Sequence, residues 1–443
     1  MQDTTIALTG DYIITVRISV VQDERFLSLV NLIRDADVGY GHLEMLLHDY
    51  EGPELYPALE AGWGHLRGPR ILAEDLKWVG LDIVSHASNH SLDYSYGGMM
   101  STWQALNKVG LPYAGTGMNL GEARQPAYAD TPKGRVALIS MCSSFAPWGG
   151  AGDVRPDMKG RPGVNPLRFH YQVDKEHLET IKKLATEMGW WVTNNDGQWI
   201  LNPAGLHMTL STFVESDEPG ITAVVNEEDA EGNLRSISDA SRMADWVIVH
   251  HHNHEWDPEV GMNQPPKFTV KFAKACIEAG ADIFIAQGSH ATMRGMELYK
   301  GKPIFYDPGD FITTIPQVTK YPSDYYLRPG HDAESHWTET PADVNEKHRA
   351  LFGKTVNPPG GYAASKQPVR GSVVPICSFG EDKKLTGIKL YPFTYLREPK
   401  GHSGVPVMAS GETAQELIDH MAKISTQFGT EIKFKDGVGV VKV

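Results

Sequence analysis

Cysteines and long apolar stretches are scarce in this 443-residue chain. The three cysteines, Cys142, Cys276 and Cys377, show no C-x-x-C spacing, which excludes a disulfide framework and a thiolate metal site. No apolar stretch approaches the ~18 residues that a membrane-spanning helix needs. We therefore expect a protein with reduced cysteines that does not cross a membrane.

Basic charge is also in short supply. The chain has 41 Lys and Arg against 55 Asp and Glu, a formal net charge of −14, and the basic residues form no runs. Such a chain repels polyphosphate backbones and anionic membrane surfaces. We expect no nucleic-acid or membrane partner, and the composition is compatible with a homo-oligomer.

A secretory signal does not precede the first predicted strand. "IALTGDYIITV" follows Met1 within six residues, without a charged n-region, an apolar h-region or a small-residue cleavage site. We therefore expect a cytoplasmic protein, and an export leader missing from this sequence is the alternative.

Several common catalytic motifs are missing as well. The sequence contains no G-x-S-x-G elbow and no H-E-x-x-H motif, which disfavours serine hydrolases and zincin proteases. In "GTGMNLG" at 115–121 the spacing of the glycines differs by one residue from the dinucleotide-binding pattern G-x-G-x-x-G, so no nucleotide cofactor is indicated.

Short apolar runs alternate with amphipathic ones. "LDIVS" at 81–85 predicts a buried strand, "GGMMSTWQALNKVG" at 97–110 a helix, and "RVALIS" at 135–140 another strand. Strands are also predicted around 372–379 and 385–391, before a helix over 412–428. This alternation predicts an α/β layered core.

We expect one domain over residues 1–443. Two stretches, at about 146–239 and 321–367, lack the alternation of strands and helices. The first begins with a loop rich in glycine and proline. We interpret both as insertions, the first of which could cap the core.

Side chains of metal-ligand type follow five predicted strands. These residues are Asp11, Glu44, Asn89 with His90, the segment from His250 to His254, and His290. Ligands collect at the carboxyl ends of strands in α/β sheets, so residues far apart in sequence could converge there. Carboxylate, imidazole and amide ligands suit a divalent transition metal such as Mn, Zn or Fe, as one or two ions.

The segment "HHHNHEW" carries four histidines within five residues. In an extended segment His252 and His254 point to one side and His251 to the other. We favour His252 and His254 as the working pair, with His254 either a ligand or a catalytic residue.

The other positions have structural alternatives. Asn89 and His90 could cap a helix that starts near Tyr96. Asp11, after a glycine, could be a turn residue, and Glu44 could be a surface carboxylate.

The segment "SHASNHSLDYSYGGMMSTWQALNKVGLPYAGTGMNLGEARQPAY" resembles the signature block of the CapA family, the poly-γ-glutamate capsule-synthesis proteins. The resemblance continues through "GDYIITVR", "LEMLL", "AGADIFIAQGSH", "GMELYKGKPIFYDPGDFI" and "GETAQELIDHMAKISTQFGTEI". It implies a layered αββα sandwich similar to the calcineurin-like metallophosphoesterases, with a metal centre at the strand ends. The positions that match its metal motifs are Asp11, Glu44, Asn89, His90, His252, His254 and His290.

Two departures from the family pattern bear on the number of ions. Tyr12 and Ile13 follow Asp11, so the Asp-x-His pairing of the first motif is missing, and Gln287 stands where the family often has a histidine. One ion rather than two is therefore an alternative.

Our hypothesis is a metal-dependent hydrolase that attacks an amide, cyclic amide or related acyl bond of a small or peptide-like substrate through metal-activated water. His90 would donate a proton, oriented by Asp93. Arg161, Asn165 and Arg168 could face a substrate carboxylate or could only pack on the core. The alternatives are a phosphoesterase or phosphodiesterase, and a non-enzymatic component for synthesis or binding of poly-γ-glutamate.

Overall fold

The protein combines several mixed β-sheets with helices. The computed structural model describes residues 3–52, 54–58, 64–203, 211–257, 260–290, 293–327, 335–352 and 370–443. The α/β class predicted from the alternation of strands and helices is confirmed.

Strands occur along the whole described chain. Those up to residue 142 are β1 Thr4–Ile13, β2 Val38–Leu43, β3 Leu46–Leu47, β4 Arg67–Gly68, β5 Ile83–Ser85, β6 Tyr113–Ala114, β7 Thr116–Gly117, β8 Ala127–Thr131 and β9 Gly134–Cys142. The next are β10 Gly163–Val164, β11 Phe169–Val173, β12 Trp191–Asn195, β13 Gln198–Asn202, β14 Ser211–Glu215, β15 Ile221–Val225, β16 Trp246–His252 and β17 Ile283–Gln287. The last are β18 Gly295–Tyr299, β19 Lys302–Asp307, β20 Ile312–Thr313, β21 Gly371–Phe379, β22 Leu385–Tyr395, β23 Pro406–Met408, β24 Ile432–Lys435 and β25 Val438–Val441.

Helices separate many of these strands. They are α1 Glu24–Arg34, α2 Leu72–Val79, α3 Ser95–Lys108, α4 Leu120–Arg124, α5 Lys175–Glu187, α6 Glu227–Ser241, α7 Lys267–Ala279, α8 Ser323–Tyr326, α9 Ser335–Thr338, α10 Pro341–Phe352 and α11 Gly411–Ser425. Short 3-10 turns cover Ile315–Gln317, Lys400–His402 and Thr426–Phe428.

Two mixed sheets form the centre of the fold. The larger has the strand order β24-β25-β22-β21-β1-β2-β5-β6, with β20 beside β1 and β23 beside β22. The smaller has the order β18-β19-β17-β16-β9-β8. Strands β1, β2, β5 and β6 run parallel, as do β9, β16, β17 and β19. The carboxyl ends of neighbouring parallel strands therefore meet at one edge of each sheet.

The inner faces of the two sheets share one apolar cluster. Leu8 and Tyr40 of the larger sheet pack there with Leu138 and Ile248 of the smaller one, all of them fully buried. Each such side chain stabilises the fold by about 1.5–3 kcal/mol through its removal from water. The contact holds the strand ends of the two sheets near each other.

Helices cover the outer faces. α1 and α2 pack on the larger sheet, for example through Phe26 and Leu76, and α6 and α7 pack on the smaller sheet through Ile237 and Phe272. Among the described residues, no helix is both long and apolar enough to cross a bilayer. The cytoplasmic location and the oligomeric state stay predictions.

The irregular stretches contain structure of their own. A separate sheet of order β12-β13-β14-β11-β15 and helix α5 lie within the predicted insertion 146–239. The last part of the predicted insertion, helix α6, packs on the core instead. In the second stretch, 321–367, residues 328–334 and 353–367 lie outside the described residues, and the remainder carries α8 to α10. The single-domain division itself stays a prediction.

Candidate metal centre

The side chains predicted as metal ligands converge where the two sheets meet. Asp11 lies near the end of β1 and Glu44 just after β2, both fully buried. His252 ends β16, with His254 in the loop beyond it, and His290 follows β17. Strand pairing accounts for the convergence, since the register places Asp11 opposite His42 and His252 opposite Gln287.

Glu44 lies at the centre of the group. Its Oε1 is 3.2 Å from His290 Nε2, 3.5 Å from His252 Nε2 and 3.9 Å from His254 Nε2. Three imidazoles therefore surround one carboxylate oxygen. We call Asp11, Glu44, His254, His290 and Asp310 the outer cluster, because the side chains of His254 and His290 are 33% and 28% exposed.

His252 connects this cluster to the segment quoted in the sequence as "SNHSLDY". Its Nε2 lies 2.9 Å from Asn89 Oδ1 and 3.1 Å from His254 Nε2. Two imidazole nitrogens at that distance must share a proton or a cation. Helix α3 has Tyr94 as its N-cap without a side-chain hydrogen bond, so Asn89 and His90 do not cap it.

His290 links Glu44 to a second carboxylate pair. Its Nδ1 donates to Asp310 Oδ1 at 2.9 Å and lies 3.8 Å from Asp11 Oδ2. The backbone of His290 has a φ of 53°, a left-handed conformation that non-glycine residues adopt at a cost. The strain is concentrated at the residue that joins Asp11, Glu44 and Asp310.

A close backbone approach positions Asp11 beside Asp310. A Cβ added at Gly10 would overlap the carbonyl oxygen of Gly309. The Phe311 amide donates to the Asp11 carbonyl at 3.1 Å, and the Tyr395 hydroxyl donates to the Asp310 carbonyl at 2.6 Å. Only glycine at position 10 allows β1 and the loop after β19 to lie this close.

The charges of the cluster fit a divalent cation. Among the described residues, neither carboxylate oxygen of Asp11 or of Glu44 has a well-directed hydrogen bond. Burial, with the neighbouring carboxylates of Glu44 and Asp310, holds the pKa of Asp11 well above its usual range. Burial opposes the charge of His290, but Glu44 and Asp310 raise its pKa well above the ordinary value. A cation would compensate the buried carboxylates, and the donor set of oxygens and imidazole nitrogens suits Zn, Mn or Fe.

The predicted proton donor forms a buried pair. His90 Nδ1 donates to Asp93 Oδ2 at 2.7 Å, and the same oxygen accepts from the Leu66 amide at 2.6 Å. Burial lowers the pKa of His90, but the Asp93 carboxylate outweighs it, so this pKa lies above its ordinary value. The roles of His90 and Asp93 stay predictions.

The three residues predicted for substrate binding have internal partners. Arg161 Nε donates to the Gly150 carbonyl at 2.9 Å, and Arg168 forms a bidentate pair with Asp229 at 2.7 and 2.8 Å. Asn165 is fully buried, and its Nδ2 donates to the Ser140 carbonyl at 2.9 Å. The two arginine contacts lie within the predicted insertion, and the Asn165 contact joins it to β9 of the core. The substrate-binding role of the three residues stays a prediction.

Sequence reasoning missed His42 and Asp310 as ligand candidates, and it included His250 in the candidate segment without choosing it as a ligand. His42 and His250 are fully buried beside His252, and Asp310 follows β19. His42 precedes Glu44 by two residues, and His250 precedes His252 by two. Alternation along a strand places such pairs on one side, so this signal was present in the sequence.

The fold and the site together define a mixed α/β protein with a buried group of potential metal ligands at its strand ends. The family model described as bacterial capsule synthesis protein PGA_cap matches residues 5–314. The chain therefore belongs to this family, to which the predicted resemblance to CapA proteins also pointed.

Individual relatives agree with this assignment. The uncharacterized protein y4sH of Sinorhizobium fredii is 30% identical over 99% of this chain and 93% of its own length. The capsule biosynthesis protein CapA of Bacillus anthracis is 23% identical over 56% of this chain and 44% of its own length. A probable polyglutamine synthesis accessory protein of Mycobacterium tuberculosis is 25% identical over 52% of this chain and 44% of its own length.

Proposed function

We propose that this protein is a metal-dependent hydrolase of an amide, cyclic amide or related acyl bond. The observation that carries the proposal is the outer cluster: two fully buried carboxylates, Asp11 and Glu44, facing imidazoles from other strand ends. The metallophosphoesterase-like character of the family supports an αββα sandwich with a metal centre at this edge.

The residues that would hold the cation are the predicted set, Asp11, Glu44, Asn89, His252, His254 and His290, together with Asp310. When bound, a divalent ion supplies Lewis-acid polarisation of the scissile group and a water of lowered pKa. His90 would hold a proton on its second ring nitrogen for the leaving group, because Asp93 occupies Nδ1. Asn89 fixes the orientation of His252 through their 2.9 Å contact.

The recess beside Asn89 has a volume of about 10 Å³, room for about one water molecule, so only the charges beside the site bear on the substrate class. The recess is lined by Ser88, Asn89, Leu92, Phe145, Ala146, Trp148, Gly149 and Val164. Arg294, whose charge acts on His254, is fully buried and donates to Asn253 Oδ1 at 2.7 Å, so it is not presented to a substrate. An uncharged amide or peptide-like group fits this environment better than a polyanion.

A phosphodiesterase is the second candidate. The likeness of the family to metallophosphoesterases favours it, as does the Asn89–His252 contact within the site. The relatives named for capsule biosynthesis and polyglutamine synthesis suggest a third role, in handling a polyglutamate chain. The net charge of −14 disfavours polyanion binding.

The test is an assay of the purified chain with added Mn²⁺ or Zn²⁺ on peptide amides, γ-glutamyl amides and lactams, with a generic phosphodiester in parallel. We expect amide hydrolysis, and we expect Glu44→Gln to reduce kcat/KM at least about a hundredfold, since several kcal/mol of charge stabilisation would be lost. His177→Gln is the matched control, because His177 is a half-exposed residue of α5 paired with Asp174.

The outcomes separate the candidates. If the phosphodiester is hydrolysed and no amide is, the protein is a phosphodiesterase and the amide proposal is wrong. Binding of poly-γ-glutamate without hydrolysis of any substrate, unchanged by Glu44→Gln, would contradict both enzymatic proposals.

A further inference from the structure

Three fully buried histidines lie beneath the outer cluster. We call His42, His250 and His252 the inner histidine cluster. Each can offer one ring nitrogen, and the three nitrogens lie within 4.8 Å of one another. The ring centroid of His42 is 4.2 Å from that of His250 and 5.0 Å from that of His252.

Hydrogen bonds orient two of these rings with one nitrogen left over. His42 Nδ1 lies 2.8 Å from Ser85 Oγ and 3.2 Å from the Ser85 carbonyl oxygen, and donation to that carbonyl leaves a lone pair on Nε2. His250 Nδ1 lies 2.9 Å from Ser140 Oγ in the same way. A hydrogen bond on the far ring nitrogen is how proteins fix the tautomer of a metal-binding histidine.

The leftover nitrogens have no partner among the described residues. They are His42 Nε2, His250 Nε2 and His252 Nδ1. Burying an imidazole nitrogen without a partner is costly, and three such nitrogens on neighbouring rings multiply the cost. A core without a ligand would satisfy them or replace them with apolar groups.

We propose that the inner histidine cluster is a cation site of its own, with a preference for Zn²⁺. Three imidazoles suit Zn²⁺, whereas the outer cluster adds carboxylate oxygens, which Mn²⁺ also accepts. The proposal rests on the proposed function, because His42 and His252 also form a possible ligand group with Asp11 and Glu44 of the outer cluster. It assigns ligand roles to His42 and His250.

The experiment measures bound zinc by elemental analysis of the full-length chain, stripped with a chelator, reloaded with Zn²⁺ alone and dialysed. We expect His250→Gln to hold one Zn²⁺ per chain fewer than the unmodified protein. His251→Gln is the control: His251 is equally buried but lies on the other side of β16, with its Nε2 3.0 Å from Ser143 Oγ. We expect this variant to hold as much zinc as the unmodified protein.

A misfolded variant could lose zinc for reasons unrelated to the inner histidine cluster. A second variant and a measurement on the unmodified protein therefore accompany the first experiment. His42→Gln should lose the same ion, and circular dichroism checks that each variant folds. X-ray absorption at the zinc edge of the unmodified protein should show zinc coordinated mainly by imidazole nitrogens. We expect His250 to supply one of them.

The outcomes distinguish this proposal from the hydrolase. Equal zinc in the unmodified protein, His250→Gln and His42→Gln would overturn the inner site and leave the hydrolase standing. Loss of the inner ion in both variants, with no hydrolysis by the fully loaded unmodified protein, would support the inner site and overturn the hydrolase.

Discussion

Individual residues of the outer cluster are held in conformations that an added positive charge would stabilise. His290 adopts a φ of 53° and contacts both Glu44 and Asp310. Asp11 is buried with no hydrogen bond on either oxygen among the described residues. Buried carboxylates without hydrogen bonds destabilise the folded chain when no cation is bound, and they attract a cation. Backbone strain is typical of functional sites, so both features of the geometry favour metal binding.

The His90–Asp93 pair gives a prediction about pH. Because Asp93 raises the pKa of His90 against the effect of burial, Asp93→Asn should lower that pKa. A proton donor is active while protonated, so activity falls as pH rises through its pKa. The basic limb of the kcat/KM profile should therefore move to lower pH in Asp93→Asn.

The control for this prediction is Asp174→Asn, which alters the exposed Asp174–His177 pair and should leave the profile unchanged. If Asp93→Asn lowered kcat/KM by the same factor at every pH, without moving the basic limb, Asp93 would have only a structural role.

At this scale the sequence predicted the residues that follow strands. Asp11, Glu44 and His290 could be found because ligands collect at strand ends. Asp310 could not, since its place depends on the approach of β1 and the loop after β19 through Gly10 and Gly309. The carboxylate that accepts the His290 hydrogen bond is thus placed by tertiary packing and follows from no local pattern.

Among the elements, the end of β1 and the loop after β19 control the site. Their contact depends on the missing side chain of Gly10, whose Cβ would also come within 2.8 Å of the Phe311 amide nitrogen. The loops would have to separate to admit a methyl group, and Asp11 would then move away from Asp310.

Gly10→Ala should therefore weaken metal binding and lower the free energy of unfolding by about 1–3 kcal/mol, as overpacking does. The measurement is isothermal titration with Mn²⁺ together with urea unfolding. Gly387→Ala in β22 is the control, because its added Cβ would meet nothing within 4 Å. Equal metal affinity in both variants would mean that the loop contact does not position the site.

Elements with strong periodicity were predicted well, and the irregular ones were not. The predicted helix 412–428 corresponds to α11 and the turn that follows it, and the predicted strand 372–379 to β21. The sheet built from β11 to β15 could not be foreseen, because its strands are largely exposed or half-exposed and β12 and β14 lack a clear apolar alternation. Their pairing is set by contacts with each other.

For the whole molecule, metal binding and proton binding are linked. The raised pKa values of Asp11 and His290 mean that, without a cation, both groups hold protons to higher pH than usual. A cation must displace those protons, so its affinity should rise with pH. Titration with Mn²⁺ between about pH 6 and about pH 8, which spans the ordinary pKa of histidine, should show this increase together with proton release.

An affinity that stayed constant or fell over this range would contradict the pKa values assigned to the cluster. The same cation should raise the melting temperature, because it binds the folded chain alone and contributes about 2.7 kcal/mol at a concentration of a hundred times Kd.

The proposed function depends on a cation held between strand ends that are distant in sequence. The most direct measurement is an anomalous-difference map from crystals of the protein, collected at the absorption edge of the metal found by elemental analysis. The account predicts a peak within coordination distance of Glu44, His254 and His290. A map without a peak there, from protein that carries the metal elsewhere and still hydrolyses its substrate, would contradict it.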